Sequence, residues 1–273
     1  GRSYVLRRPP VHKRRNSDET MRREARVLGA LAGSDVPHPG LIAAEPDTDV
    51  LGAAFYLMEP VEGFNPGSGL PEPHASDPAI RRAMGRPQGW LERQVDRWCG
   101  QLASYAELDG YPGPDIPGVD DVARWLDEHR PPRWQPGIIH GDLHFANVLF
   151  RHDGPELAAV VDWELSTIGD PLLDLGHLLA TWPAADGAMG AVGGHITDLP
   201  TKAELVDRYA ARLGRPVEHA DWYHVLAAYR LGIILEGTHA RAFAGKAPKE
   251  IGDLLHATTV GLFERALAVI GAT

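Results

Sequence analysis

The chain has 273 residues, with 27 Lys and Arg against 37 Asp and Glu, and a formal net charge of −10. Hydrophobic residues make up 44%, the balance of an ordinary globular protein, and the acidic charge argues against nucleic acid as a partner. No run of about 18 apolar residues reads as a membrane span and no apolar h-region follows the N-terminal charges, so neither a membrane association nor a signal peptide is expected. One cysteine, Cys99, excludes an internal disulfide and fits a reducing cytoplasm, the expected location.

In chain order, residues 4–7 (Tyr-Val-Leu-Arg) read as a short strand ended by Pro9 and Pro10. A basic cluster follows: Arg7, Arg8, His12, Lys13, Arg14 and Arg15, either a solvated loop or an anion-binding element. Residues 18–32 read as a helix with Ala25, Leu28 and Leu31 on its apolar side and Gly33 as its stop. Residues 55–59 (Phe-Tyr-Leu-Met-Glu) are a second strand closed by Pro60, and 63–78, rich in Gly and Pro, are a linker. Leu91, Val95, Trp98 and Leu102 recur at helical spacing. Asp170-Pro171 is an N-cap and N1 proline ahead of Leu172, Leu175, Leu178, Leu179 and Trp182. Thr201 and Glu204 form a capping box before Leu205, Tyr209, Leu213 and Gly214. Residues 221–243 and 250–270 are two further amphipathic helices. No internal repeat is evident. The class is therefore α+β: a small β/α unit over 1–62, and a larger, mainly helical part over 63–273.

The chemistry concentrates in His140-Gly141-Asp142-Leu143-His144-Phe145-Ala146-Asn147 and in Val160-Val161-Asp162. Two apolar runs, 148–150 and 157–161, flank the turn signal His152-Asp153-Gly154-Pro155. A hairpin centred between Asp153 and Gly154 places Asn147 opposite Val160, with Asp162 nearby. An amide oxygen and a carboxylate at one end of a ladder are the hard oxygen donors Mg²⁺ requires. Asp142, on the loop entering the hairpin, is placed to orient and deprotonate a hydroxyl. Together these meet the needs of phosphoryl transfer: positioning, a metal to neutralise phosphate charge, and a carboxylate base. His140 and His144 at i, i+4 hint at zinc, but Gly141 breaks any helix there and a third ligand of matching spacing is missing nearby.

These motifs, with Val161-Asp162-Trp163-Glu164 and Gly169-Asp170-Pro171-Leu172-Leu173-Asp174-Leu175, resemble the aminoglycoside phosphotransferase and choline kinase-like family. Residues 5–10, 51–59 and 85–94 resemble one subgroup, the kinase-like domains linked to acyl-CoA dehydrogenases and their free-standing bacterial relatives. The resemblance implies a protein-kinase-like two-lobed fold, with the hinge at 58–62, and an ATP- and Mg²⁺-dependent small-molecule kinase. It implies Asp142 as catalytic base, and Asn147 and Asp162 as metal ligands. Arg7 stands where the family has its phosphate-binding lysine, and Glu24 is that cation's partner. Met58-Glu59-Pro60-Val61 resembles the hinge, where the Glu59 carbonyl and Val61 amide bind adenine. Asp174 resembles a buried aspartate that braces the catalytic loop.

The family's glycine-rich hairpin, which would precede Tyr4, and a helix usually found between the hinge and residues 85–90 are not in the pattern. With Arg7, these departures support an alternative reading as a non-catalytic pseudokinase or nucleotide-binding module. The acceptor is expected to be a hydroxyl on a small molecule, either a hydroxyacyl-CoA or an aminoglycoside. Its contacts are sought among Trp222, Tyr223, Arg230, Glu236 and Arg241 in the C-terminal helices.

Overall fold

A computed structural model describes residues 2–10, 17–34, 36–62, 90–154, 156–183 and 199–272. Most of the basic cluster (11–16), the linker at 63–78 and the segment 85–89 lie outside them. The chain divides into two compact units. One comprises residues 1–86, 136–171 and 190–198; the other comprises 87–135, 172–189 and 199–273.

The first unit opens on an antiparallel sheet of β1 (Val5–Arg7), β2 (Leu41–Glu45) and β3 (Phe55–Met58), in the order β1-β3-β2. β2 has no counterpart among the elements expected from sequence. Its Leu-Ile-Ala-Ala-Glu run lacks clean alternation, and a bulge between Leu41 and Ala43 breaks its register. β3 ends at Met58, one residue short of the expected strand. Between β1 and β2 runs α1 (Ser17–Leu31), which buries Met21, Ala25, Val27, Leu28 and Leu31 and ends at Gly33, whose φ is +78°. The same core takes in Val36, Ala54 and Tyr56 together with Ile138, Val160 and Trp163 from the motif region. Burying each such apolar side chain contributes roughly 1.5–3 kcal/mol, so the motif loop is anchored by the same apolar mass that holds α1.

Two small antiparallel ladders complete this unit: β4 (Gly137–Ile139) with β7 (Thr167–Gly169), and β5 (Val148–Phe150) with β6 (Leu157–Val160). Only the second was expected, and its register differs by one residue. Val148 faces Val160 and Leu149 faces Ala159, but Phe150 faces Leu157. The bulge between Leu149 and Phe150 absorbs one residue, which moves the partner of Asn147 from Val160 to Val161. The Val161 N–H donates to the Asn147 carbonyl at 2.9 Å.

The second unit is helical: α2 (Gln94–Ala103), α3 (Val119–Glu128), α4 (Leu172–Thr181), α5 (Lys202–Leu213), α6 (Ala220–Phe243) and α7 (Lys249–Ala272). The capping box of Thr201 and Glu204 is present, and Gly214 closes α5 in a left-handed conformation. α6 is not the two-faced helix its pattern suggested. It is the axis of the core, with Trp222, Tyr223, Leu226, Tyr229 and Ile233 at or below 2% exposure. A helix packed on several sides has no polar face to show. α4 approaches α6 so closely that a Cβ on Gly176 would overlap the Tyr223 carbonyl. α7 is 24 residues long and contains an 18-residue window of mean hydropathy 1.3, long and apolar enough by length and composition to cross a membrane; here Leu262, Phe263 and Ala266 are buried.

Candidate active site

β4 delivers the chain to His140, and its pairing with β7 fixes where the following loop begins. Gly141 turns that loop at a φ of +83°, and a Cβ there would stand 2.5 Å from the Leu165 carbonyl oxygen. Only glycine meets both conditions. His140, fully buried, acts as a brace. Its Nδ1 accepts the Asp142 N–H at 3.2 Å, so its ring proton sits on Nε2 and is donated to the Val161 carbonyl at 2.8 Å. The ring also packs on Trp163, with centroids 4.7 Å apart. Both nitrogens are committed to backbone, so His140 is not a zinc ligand.

Asn147 ends the loop as a side chain 8% exposed. Its Nδ2 donates to the Asp142 carbonyl at 2.9 Å and to the Asp142 Oδ2 at 3.1 Å. With both amide hydrogens spent on Asp142, Oδ1 is the atom left to accept a cation. The His144 Nε2 lies 3.5 Å from the same Asp142 oxygen. The ladder then carries the chain to Asp162, which adopts φ 64° and ψ 58°. This left-handed conformation in a non-glycine residue costs of order 1–3 kcal/mol, and such strain concentrates at functional sites.

The expected cation–carboxylate pair is present and larger than expected. Arg7 faces Tyr56 across β1 and β3, so both side chains project on the same side toward α1. There the Arg7 Nε lies 3.4 Å from Glu24 Oε2, and the Tyr56 hydroxyl donates to the same oxygen at 2.6 Å. The Arg7 Nη2 meets Asp162 Oδ1 at 2.7 Å. One guanidinium thus spans the carboxylate of the first helix and that of the hairpin. Burial works against the Arg7 charge, but Glu24 and Asp162 outweigh it and raise its pKa further above the ordinary arginine range. Burial pushes the Glu24 carboxyl above its usual range, against the Tyr56 hydrogen bond and Arg7. Burial, then the Glu24 charge, raises the Tyr56 phenol as well. Arg23 adds a hydrogen bond from its Nη2 to the Glu164 carbonyl, tying α1 to the turn after Asp162.

The structure therefore brings together Arg7, Glu24, Asp142, Asn147 and Asp162 within one compact unit. Met58 closes β3, and the Glu59 N–H donates to the Gly40 carbonyl at 2.8 Å. The Glu59 carbonyl and Val61 amide lie in the stretch 59–62 that follows, outside any helix or strand. Sequence reasoning missed Tyr56, whose signal was its register opposite Arg7, and the brace at His140, whose signal was the His-x-Asp spacing. The acceptor candidates fare differently. Trp222, Tyr223 and Glu236 are at or below 2% exposure, and Arg230 lies over the Trp98 ring at 5.4 Å. Arg241 donates to the Thr238 hydroxyl at 2.6 Å. The first four are core residues because α6 is buried along most of its length.

Residues 1–224 match the model of a phosphotransferase enzyme family, APH. The chain belongs to that family. Among curated proteins, this phosphotransferase-family chain is 29% identical to acyl-CoA dehydrogenase family member 10 of Mus musculus over 90% of its own length and 25% of the relative's. It is 31% identical to family member 11 of Gallus gallus over 92% of its length and 35% of the relative's. It thus spans about a quarter to a third of those proteins. Among solved structures, a Ralstonia eutropha protein provisionally named an aminoglycoside phosphotransferase superposes with a TM-score of 0.77 at 27% identity, over 98% of this chain and 86% of that one. The fold is that of the protein-kinase-like phosphotransferases, an α+β arrangement as expected.

Proposed function

We propose that this protein transfers the γ-phosphate of ATP to a hydroxyl of a small molecule. The observation that carries the reading is the fixed pair of Asn147 and Asp142. The amide that holds the Asp142 carboxylate in place keeps its own oxygen for a cation, and Asp162 follows one residue after the backbone partner of Asn147. An amide oxygen and a carboxylate suit Mg²⁺ in both hardness and number, since this ion keeps several water and phosphate ligands. When bound, Mg²⁺ would neutralise charge on the β- and γ-phosphates.

Asp142 accepts the proton of the acceptor hydroxyl as that oxygen bonds to the γ-phosphorus. The bond from the γ-phosphorus to the β,γ-bridging oxygen breaks, and ADP leaves with those electrons. Arg7 supplies a permanent positive charge for phosphate, and its planar fork suits two oxygens at once. The Glu59 carbonyl and Val61 amide are the groups proposed to read the adenine edge.

For the acceptor, hydroxylated acyl thioesters rank first because the curated relatives carry the acyl-CoA dehydrogenase name. Aminoglycosides rank second, from the name of the Ralstonia protein and the net charge of −10. The test is radiolabelled ATP with Mg²⁺ and a panel of both classes. Wild type should label at least one hydroxylated acceptor. Asp142→Asn should lower transfer by at least a hundredfold, within the usual contribution of a general base, while leaving Mg·ATP affinity within about threefold. Failure of wild type to bind Mg·ATP would sink the kinase reading. Near-full turnover by Asp142→Asn would sink the assignment of the base.

A further inference from the structure

The second unit holds a cluster that phosphoryl transfer does not use. On α6, Glu236 and His239 stand at i, i+3; on α7, Asp253 and His256 repeat that spacing. The two helices pack along their length after a short turn at 244–248, which brings the two motifs together. We propose that Glu236, His239 and His256 form a transition-metal site of zinc type, with Asp253 beside it, distinct from the Asn147 and Asp162 pair.

Four observations point to it. The ligand atoms of Glu236, His239 and His256 all lie within 4.8 Å of one another. Glu236 is fully buried, and its Oε2 accepts from the His256 Nδ1 at 2.7 Å. Its Oε1 accepts the Tyr111 hydroxyl at 2.6 Å, the kind of outer partner that orients a ligating carboxylate. Among the described residues, the His239 Nδ1 is buried without a hydrogen-bond partner, and its nearest carboxylate oxygen, Asp253 Oδ1, is 3.8 Å away. A buried ring nitrogen without a partner, beside a buried carboxylate and a second imidazole, is the arrangement a bound ion would satisfy.

The spacing agrees. Two ligand atoms on a tetrahedral zinc stand about 3.4 Å apart, given bonds of about 2.0–2.1 Å. The Glu236 and His256 atoms stand 2.7 Å apart and all three ligand atoms lie within 4.8 Å of one another, so shifts of the order of an ångström bring them to that spacing. A Cβ on Gly252 would overlap the Ala242 Cβ at 2.6 Å and crowd the His239 Cα at 3.3 Å, so glycine lets α7 approach α6 beside His239. Imidazole nitrogens select zinc, cobalt or copper over Mg²⁺. Lys249 pairs with Asp253 at 2.5 Å, which leaves the fourth position of a tetrahedral ion to water. Metal entry at the His256 Nδ1 moves the ring proton to Nε2, so the imidazole binds as a neutral ligand.

The experiment uses the full chain after dialysis against a chelator. Cobalt chloride is titrated while its visible absorption is followed, and zinc chloride is then added in competition. The expected result is saturation at one equivalent, loss of the signal on adding zinc, and a raised Tm. His239→Gln and His256→Gln should each weaken binding at least tenfold while keeping the far-UV circular dichroism of wild type. His239→Gln keeps a polar side chain of similar reach, so a folded variant is available if an alanine is not. Asp162→Asn should bind cobalt as wild type does, which separates this site from the one proposed for Mg²⁺. Absence of cobalt bands in the folded wild type, or bands unchanged in both histidine variants, would overturn the proposal.

Discussion

Tyr56→Phe isolates the charge chemistry at the head of the site with the smallest change of shape. The hydroxyl donates to Glu24 Oε2 at 2.6 Å, and Glu24 is 1% exposed. Its Oε1 has no hydrogen-bond partner among the described residues, so after the substitution the Arg7 Nε, at 3.4 Å, remains as the donor to the carboxylate. A hydrogen bond to a charged group contributes about 1.5–3 kcal/mol, against about 1 kcal/mol for a neutral one. The pH dependence follows from the sign of the shift. Burial raises the folded pKa of Glu24 above its unfolded value, so over that window the folded state holds a proton that the unfolded state has lost. Stability therefore falls as pH rises through the window. Removing a hydrogen bond that favours the ionised form widens the window and deepens the fall. Urea unfolding should thus show a loss of about 2–3 kcal/mol at neutral pH and about 1 kcal/mol near pH 4, where Glu24 is protonated in both states. In a Glu24→Gln background, the loss should stay near 1 kcal/mol at both pH values. An equal loss at both pH values in the wild-type background, or an undiminished loss in the Gln background, would refute the charged acceptor.

Asp162→Gly and Asp162→Ala both remove the proposed metal ligand and should both weaken Mg·ATP. The glycine variant should be the more stable by about 1–2 kcal/mol, because only it relieves the left-handed backbone; equal urea midpoints would mean that no strain is stored there. Gly141→Ala should cost more than about 2 kcal/mol, from its positive φ and the Leu165 carbonyl 2.5 Å from the new Cβ, and should lower transfer with ATP affinity kept. Unchanged kinetics would show that the loop does not need that turn. In the second unit, burial first, then Lys202 and Arg265, depress the His224 pKa to about 3. Its unfolded value is near 6.5, so the unfolded state binds the extra proton between these values, and stability should fall by up to about 1.4 kcal/mol per pH unit on acidification. His224→Gln should flatten that slope in urea melts between pH 6 and pH 4; an identical slope would assign it elsewhere.

The elements legible in the sequence were those whose signals are local. Thr201 with Glu204, Gly33 after α1 and Gly214 after α5 each act within one turn of chain, and each is found as read. β2, β4, β7 and α3 were not read. The strands are three to five residues long, too short to show a period, and each exists through a distant partner: β4 pairs with β7 across about thirty residues. α3 follows a Pro- and Gly-rich stretch and shows only Val122 and Leu126 to the core, one i, i+4 pair. α6 was located correctly, yet its character was misjudged. Residues such as His224, Arg230 and Glu236 look like a polar face in sequence, but partners from other elements cover them. The same coverage removed most of the acceptor candidates.

At the site, the residue types were legible because phosphoryl transfer demands them, whereas their mutual placement rests on a feature with no sequence signature. In an antiparallel ladder, a slip of one residue turns every side chain to the opposite face. Counting back from the Asp153-Gly154 turn gives a ladder with Asn147 opposite Val160. The bulge at Leu149 and Phe150 changes that count before the ladder reaches Asn147. Asn147 and Val161 then become partners, joined by the Val161 N–H, while the Val161 carbonyl takes the ring proton of His140. Both backbone groups of Val161 are thereby fixed in the residue just before Asp162. That double anchorage is what can hold Asp162 in a left-handed conformation that an aspartate would otherwise leave. The carboxylate is thus aimed by the bulge and by His140 together, and in this structure the cation it meets is Arg7.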